Sequence, residues 1–337
     1  MKRFYRVLLS LTLVMVLLCG CGRNAIDFTF FSPIQERASS QNSTQYTVDI
    51  SPAAQSDTMQ TQQATLFYRL GETELLAPMS VTFSLSVDTT IEEAILSALI
   101  DGPIGQHELT GTIPAGTELV SAKVRDGYFE VTLSSDFFSV GSDVPSNWEQ
   151  DPQWVQEVQL RRKLATYSIV NSITQLGIYT RVLILIDMTG NGNGQRVERS
   201  NFGLMPQTGE EDTLIEPLAR DASLLLTPNT AARLTLDALI SQDSDYLSRY
   251  LYFSSGTTPD AQELGETLFQ TQLSAYTLDL ENGPVISLDG ASAMINFSYE
   301  YITAQGVKRE VMDIPLLLIL DDGIWSVDYE SLCAVLQ

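Results

Sequence analysis

A chain of 337 residues is about two domains long at roughly 150 residues per domain, and 44% hydrophobic against 18% charged residues leave room for a sizeable core and exclude wholesale disorder. Its 42 acidic and 19 basic residues give a net charge of −23; without Lys2, Arg3 and Arg6 at the start, 16 basic and 42 acidic residues remain, a net of −26. So acidic a chain repels phosphate backbones, which excludes nucleic acid as a partner, and one histidine with three cysteines cannot assemble the usual zinc or Cys/His catalytic sets.

Residues 1–20 have a basic start, an apolar run from Val7 to Leu18, and small residues before a cysteine. The run is short of the roughly 20 apolar residues that span a bilayer, and has the length and flanks of a secretory signal. Leu18-Cys19-Gly20-Cys21 resembles a bacterial lipobox. That resemblance implies a diacylglycerol on the Cys21 thiol, cleavage just ahead of it, and a lipid anchor on the extracytoplasmic face of the cell membrane. A plain signal peptide cut elsewhere, or an uncleaved anchor, remains open. After cleavage only Cys21 and Cys333 are left, and an acylated Cys21 permits no intramolecular disulfide; Cys333, among Leu332, Ala334 and Val335, reads as a small buried hydrophobe.

From residue 21 to 63 the chain is rich in Ser, Thr, Gln and Asn and reads as a tether. As a coil it would reach about 35–40 Å. Only IDFTFFSPI (residues 26–34) is oddly apolar for a linker, as if to lie on the membrane or a partner.

Strand and helix patterns then alternate. Ala64–Tyr68 is a strand candidate, and Val81, Phe83, Leu85 and Val87 alternate with polar residues as in a half-buried strand. Thr89 or Thr90, followed three residues on by Glu92 or Glu93, resembles a capping box; Ile91, Ala94, Ile95, Ala98 and Leu99 line one helical face, and Gly102-Pro103 ends it. Residues 118–134 read as a hairpin about Asp126-Gly127, Trp154–Leu176 as a long helix closed by Gly177, and Val182–Ile186 as a strand buried on both faces. The alternation predicts a small α/β sandwich.

Leu66-Phe67-Tyr68, Asp101-Gly102-Pro103, Ile113-Pro114-Ala115-Gly116-Thr117, Val131-Thr132-Leu133-Ser134, Ile169-Val170-Asn171-Ser172-Ile173-Thr174 and the strand RVLILID follow in the order and approximate spacing of a GerMN domain, which residues 64–203 resemble. The Gly-Pro and Ile-Pro-x-Gly-Thr elements are the most specific. The family is named for a sporulation and germination lipoprotein of endospore-forming bacteria. The resemblance implies a non-catalytic module of extracytoplasmic lipoproteins, similar to the ring-building domains of the channel joining mother cell and forespore. Two such modules in tandem occur in the named member; no second Gly-Pro or Ile-Pro-x-Gly-Thr recurs here.

Residues 204–227 read as a linker. From Pro228 to 337 the order becomes helices, then strands: two short helices, a third from Pro259 to about Ser274, strands at 277–281 and 284–288, the alternating Ile295, Phe297, Tyr299 and Tyr301, and VMDIPLLLIL joined to IWSVDY through Asp321-Asp322-Gly323. This predicts an α+β domain of helices packed on a curved antiparallel sheet, weakly resembling the cone fold of the nuclear transport factor superfamily. Pro315 demands an edge, a bulge or a strand start.

Four features tempt a chemical reading. Residues 187–198 fit an EF-hand loop at Asp187, Thr189, Asn191, Gly192 and Glu198, but a Gly/Asn-rich hairpin loop explains the same letters. His107 lacks the company of a triad. Arg161-Arg162-Lys163 could meet an acidic partner or form a solvated face. Glu92 with Glu93, and Asp321 with Asp322, are adjacent rather than facing, unlike a glycosidase pair.

The expectation is therefore a non-enzymatic, cofactor-free, membrane-anchored lipoprotein that docks envelope or sporulation-channel proteins in sporulation or germination. The alternative is a solute-binding lipoprotein whose C-terminal sheet lines a pocket, with Phe297, Tyr299 and Tyr301 as candidate lining residues, although core packing accounts for them equally well. A wall-active enzyme is the third reading.

Overall fold

The computed structural model describes residues 60–206, 209–303 and 306–336. The expected signal, Cys21, the IDFTFFSPI segment and nearly all of the expected tether lie outside the described residues. Gln55–Gln337 form one compact unit, in which a mixed α/β half is followed by an α+β half.

Strand β1 (Gln60–Leu70) pairs antiparallel with β2 (Leu76–Leu85), and β3 (Leu109–Thr110) joins β1 on its other side at Arg69 and Leu70. The alternation of Val81, Phe83 and Leu85 with Thr82 and Ser84 holds, but the strand ends before Val87, which is exposed. β1 begins four residues earlier than its apolar core suggests. Gln60–Gln63 are exposed on both faces and belong to the strand only through their partners Leu85–Thr82, so no hydrophobic pattern marks them.

Helix α1 (Ile91–Asp101) starts with a capping box: the Glu93 N–H donates to Thr90 Oγ1 at 3.2 Å, and the Thr90 N–H donates to Glu93 Oε2 at 3.0 Å. Gly102, at φ +88°, turns the chain away where Pro103 forbids another helical turn. β4 (Leu119–Arg125) and β5 (Tyr128–Ser134) form the expected hairpin. β5 then pairs in parallel with β6 (Arg181–Asp187) through the crossover helix α2 (Pro152–Thr174), and β7 (Leu218–Ala219) completes the sheet order β4-β5-β6-β7. Val182, Ile184 and Ile186 on one face are wholly buried and Leu183 on the other is 2% exposed, as a strand covered on both faces requires.

Helix α2 is the spine of this half. Ile169, Val170 and Ile173 enter the main core, while Leu164 packs with Phe67, Leu76 and Leu225 in a second cluster. Beyond the end of β3, two α2 serines act in place of a strand. Ser172 Oγ accepts the Phe67 N–H at 3.0 Å, and Ser168 Oγ donates to the Phe67 carbonyl at 2.5 Å. The spacing of four residues puts both hydroxyls on one helical face.

The stretch expected as a linker is largely packed. Ile215 is fully buried, β7 pairs with β6, Leu224, Leu225 and Leu226 are buried, and the Leu226 N–H donates to the Leu76 carbonyl at 2.8 Å. Its apolar residues serve different neighbours and share no period, which is why the letters read as a connector.

In the second half, α3 (Pro228–Ser241), α4 (Ser244–Tyr250) and α5 (Ala261–Leu268) precede a curled antiparallel sheet of order β12-β11-β10-β8, with β9 (Val285–Ile286) also on β10. Its strands are β8 (Gln272–Leu278), β10 (Ser292–Ile302), β11 (Lys308–Asp321) and β12 (Ile324–Val327). The third helix stops six residues short of Ser274, because Gln272–Leu278 are taken up as a partner of β10. Helix α6 (Tyr329–Leu336), which the sequence reading lacks, closes the chain. Pro315 is accommodated by a bulge: the pairing shifts between Phe297↔Ile314 and Tyr299↔Val311, and Asp313 takes φ +55°.

The halves meet through side chains as well as backbone. Arg233 pairs with Glu74 at 2.8 Å, Gln106 Nε2 donates to the Asp322 carbonyl at 3.1 Å, and the Tyr250 ring end lies against Gly71.

Candidate functional site

Several of the residues that invite a catalytic or ligand-binding reading are occupied structurally. Asp187 closes its own loop: one carboxylate oxygen accepts the N–H groups of Thr189 (3.1 Å) and Asn191 (3.2 Å), and the other accepts that of Gly192 (2.6 Å). Desolvation opposes ionisation there, but these amides outweigh it and hold the carboxyl below its ordinary value. The Asp-x-Thr-x-Asn-Gly letters are thus those of a loop folded around a carboxylate. Among the described residues, no three His, Cys, Asp or Glu side chains gather as a metal site.

Glu93 caps α1, while Glu92 is buried and accepts the Tyr179 hydroxyl at 2.8 Å. Burial, and then this bond, push the Tyr179 phenol up to about 12. Asp321 and Asp322 form the β11–β12 turn, with Asp322 and Gly323 both at positive φ. His107 is exposed at the mouth of a cleft of about 390 Å³ between the halves. Cys333 is half-buried, and burial raises its thiol pKa.

Of the two readings open for the aromatic residues of the second half, pocket lining and core, the structure shows core. Phe297 and Tyr299 are 1% and 4% exposed and stack at 5.5 Å, and the Tyr299 hydroxyl donates to the Val335 carbonyl on α6 at 2.7 Å. Tyr301 packs partly buried against them. Helix α3 packs across β8, β10, β11 and β12, and α6 adds the hydrogen bond to Tyr299.

Nor is the basic triplet a solvated face. Arg161 bonds Glu157 through Nε at 2.7 Å and Asp143 through Nη1 at 2.7 Å, and Glu157 is also held by Arg69 Nη1 at 2.8 Å. Burial works against the Glu157 charge, but the hydrogen bonds from Arg69 and Arg161 prevail and hold its carboxyl below the ordinary value. The bond from Arg161 lowers Asp143 likewise. Arg162 lies over the rings of Phe138 (6.0 Å) and Trp148 (5.9 Å), and Lys163 is half-buried.

These arginines border a cavity of about 490 Å³ between the Thr110–Ala115 loop, the Ser139–Val144 loop and α2. Ile113 and Pro114 of the Ile-Pro-x-Gly-Thr element form one wall. Sequence reasoning missed Arg69 and Glu157; the available signal was one charge inside the apolar strand LFYRL, where Arg69 is 7% exposed.

The other candidate feature is an edge. β2 ends its sheet, and from Met79 to Leu85 its only strand partner among the described residues is β1. Those residues carry no charge, proline or bulge, the usual devices that block strand addition.

The family model described as Germane, sporulation and spore germination, matches residues 65–188, from β1 to the residue after β6. Among solved structures, the tandem GerMN domains of the sporulation protein GerM from Bacillus subtilis align with 48% of this chain at 18% identity and a TM-score of 0.30; this chain spans 45% of that one. A chain described as a lipoprotein from Clostridium perfringens aligns over 38% of this chain and 75% of its own length, at 19% identity and a TM-score of 0.23. No curated protein matches the sequence.

Proposed function

Because residues 65–188 are a GerMN-type domain of the Germane family of sporulation and spore germination, we propose that this protein is a non-catalytic, lipid-anchored envelope protein that docks other proteins during sporulation or germination. The single observation that carries the docking reading is the uncharged edge of β2 from Met79 to Leu85, which among the described residues has no strand partner besides β1. Such an edge offers backbone donors and acceptors to an added strand of an envelope or channel protein. Supporting the anchor is the leader ending at Cys21, which would hold the domain at the extracytoplasmic face of the membrane and raise its local concentration there. The tempting acids and the histidine have structural or solvent-exposed places, which supports a role without catalysis.

The test is crosslinking in sporulating cells, followed by recovery of this protein from the membrane fraction. Mother-cell or forespore channel proteins should accompany the parent chain and be lost from a Thr82→Lys variant that keeps its melting temperature. Recovery of no protein partner, or the same partners from Thr82→Lys, sinks the edge-docking reading. Separately, Cys21→Ser should release the protein from membranes; if it stays bound, the lipid anchor is wrong.

A further inference from the structure

In a chain of net charge −23, the cavity between the Thr110–Ala115 and Ser139–Val144 loops is lined by three guanidinium groups, from Arg69, Arg161 and Arg162, and by one carboxylate, that of the exposed Glu72. Two carboxylates, Glu157 and Asp143, are committed to Arg69 and Arg161. No ion pair reaches Arg162 among the described residues. Its guanidinium makes one hydrogen bond, from Nη2 to the Phe138 carbonyl at 3.1 Å, and its Nε–H is buried without an acceptor. Glu149 acts on it only through its field, and burial lowers its pKa, as expected of a cation short of compensation. The hydroxyl of Thr112, on the opposite loop, is likewise buried without a partner. Between these polar groups the wall is apolar, with Ile113, Phe137, Val140 and Val158.

We propose that this cavity is a binding site for a small organic monocarboxylate with a compact apolar body. One unpaired cation calls for one negative charge, and a planar carboxylate matches the guanidinium fork. A phosphate dianion would overcompensate it. The apolar wall takes the body of the ligand, and about 490 Å³ falls within the size of ordinary small-molecule sites. The Arg161–Asp143 pair ties the Ser139–Val144 loop, one wall of the cavity, to α2. The site is independent of the β2 edge, and the failure of either leaves the other standing.

A carboxylate of this kind can come from a peptide end or from a short acyl chain. Ligand-observed saturation-transfer spectra of the full chain with acetyl-leucine, hexanoate and the neutral control acetyl-leucinamide separate them. Saturation transfer to a carboxylate at a dissociation constant of about a millimolar, and little to the amide, is the expected result. Tighter acetyl-leucine assigns a peptide end, and tighter hexanoate an acyl chain. Arg162→Gln should weaken binding at least about tenfold, since a charged hydrogen bond is lost. Val140→Trp, which adds bulk to the cavity wall at a position 40% exposed, should abolish it without lowering the melting temperature. Equal transfer to acid and amide, no transfer to any probe, or unchanged binding in either folded variant overturns the assignment. Should Arg162→Gln fail to fold, Val140→Trp decides.

Discussion

Asn171, fully buried on α2, pairs its side-chain amide with the backbone of Asp221: Nδ2 donates to the Asp221 carbonyl at 3.1 Å, and Oδ1 accepts the Asp221 N–H at 3.0 Å. The amide substitutes for a strand neighbour and ties the segment after β7 to the spine of the GerMN-type half. Arg220 adds a bond from Nη1 to the Asn171 carbonyl at 3.3 Å.

Asn171→Leu therefore strands two backbone groups and should destabilise the protein by about 2–4 kcal/mol. Urea unfolding followed by circular dichroism measures it. A midpoint unchanged from the parent would mean that this pairing contributes nothing in solution.

Glu157 makes stability depend on pH. Its folded pKa lies below the ordinary 4.5 because Arg69 and Arg161 hydrogen-bond it against the cost of burial. The unfolded chain then takes up a proton first as pH falls. This stabilisation is complete above the ordinary value and is lost as pH drops through the lowered folded one. Glu157→Gln should thus cost about 1–3 kcal/mol at pH 7, and less toward pH 3. Thermal melts of parent and variant across that range check it; a gap that widens in acid contradicts the sign.

Gly203, at φ +73°, lies so close to α2 that a Cβ would run into the Gln159 carbonyl and the Lys163 backbone nitrogen. Helix backbone cannot step aside as a side-chain tip can. Gly203→Ala should cost about 2–4 kcal/mol through left-handed strain and overpacking. A loss under half a kilocalorie per mole, on the order of an ordinary surface change, would show that the segment shifts freely.

Phe297 and Tyr299 separate core from pocket. As core, Phe297→Ala should cost about 3–5 kcal/mol, and Tyr299→Phe about 1 kcal/mol for the lost bond to Val335. Lining residues of a solvent-filled pocket would instead tolerate both, and denaturant melts distinguish the cases.

Elements with a period, a cap or a hairpin turn were legible in the letters. The Thr90–Glu93 box, the Asp126-Gly127 and Asp322-Gly323 turns, and the alternation along β10 all lie where local patterning puts them. Each reports its own environment within a few residues. Elements held by distant partners were not legible. Gln60–Gln63 are strand because β2 runs alongside, and Gln272–Leu278 leave the helical pattern because β10 offers a ladder.

The amino-acid sequence by itself determined an acidic chain, an α/β segment carrying motifs in the order of a GerMN domain, and helices followed by an antiparallel sheet. These follow from charge count, short motifs and periodicity, which are local quantities. Only the tertiary structure decided that Phe297 and Tyr299 are core, with Tyr299 tied to α6, that residues 215–226 pack rather than link, and that Arg161 is spoken for by Glu157 and Asp143 while Arg162 is not. A side chain's partners are set by which elements the fold brings together: Arg69 and Glu157 are 88 positions apart in sequence and 2.8 Å apart in space.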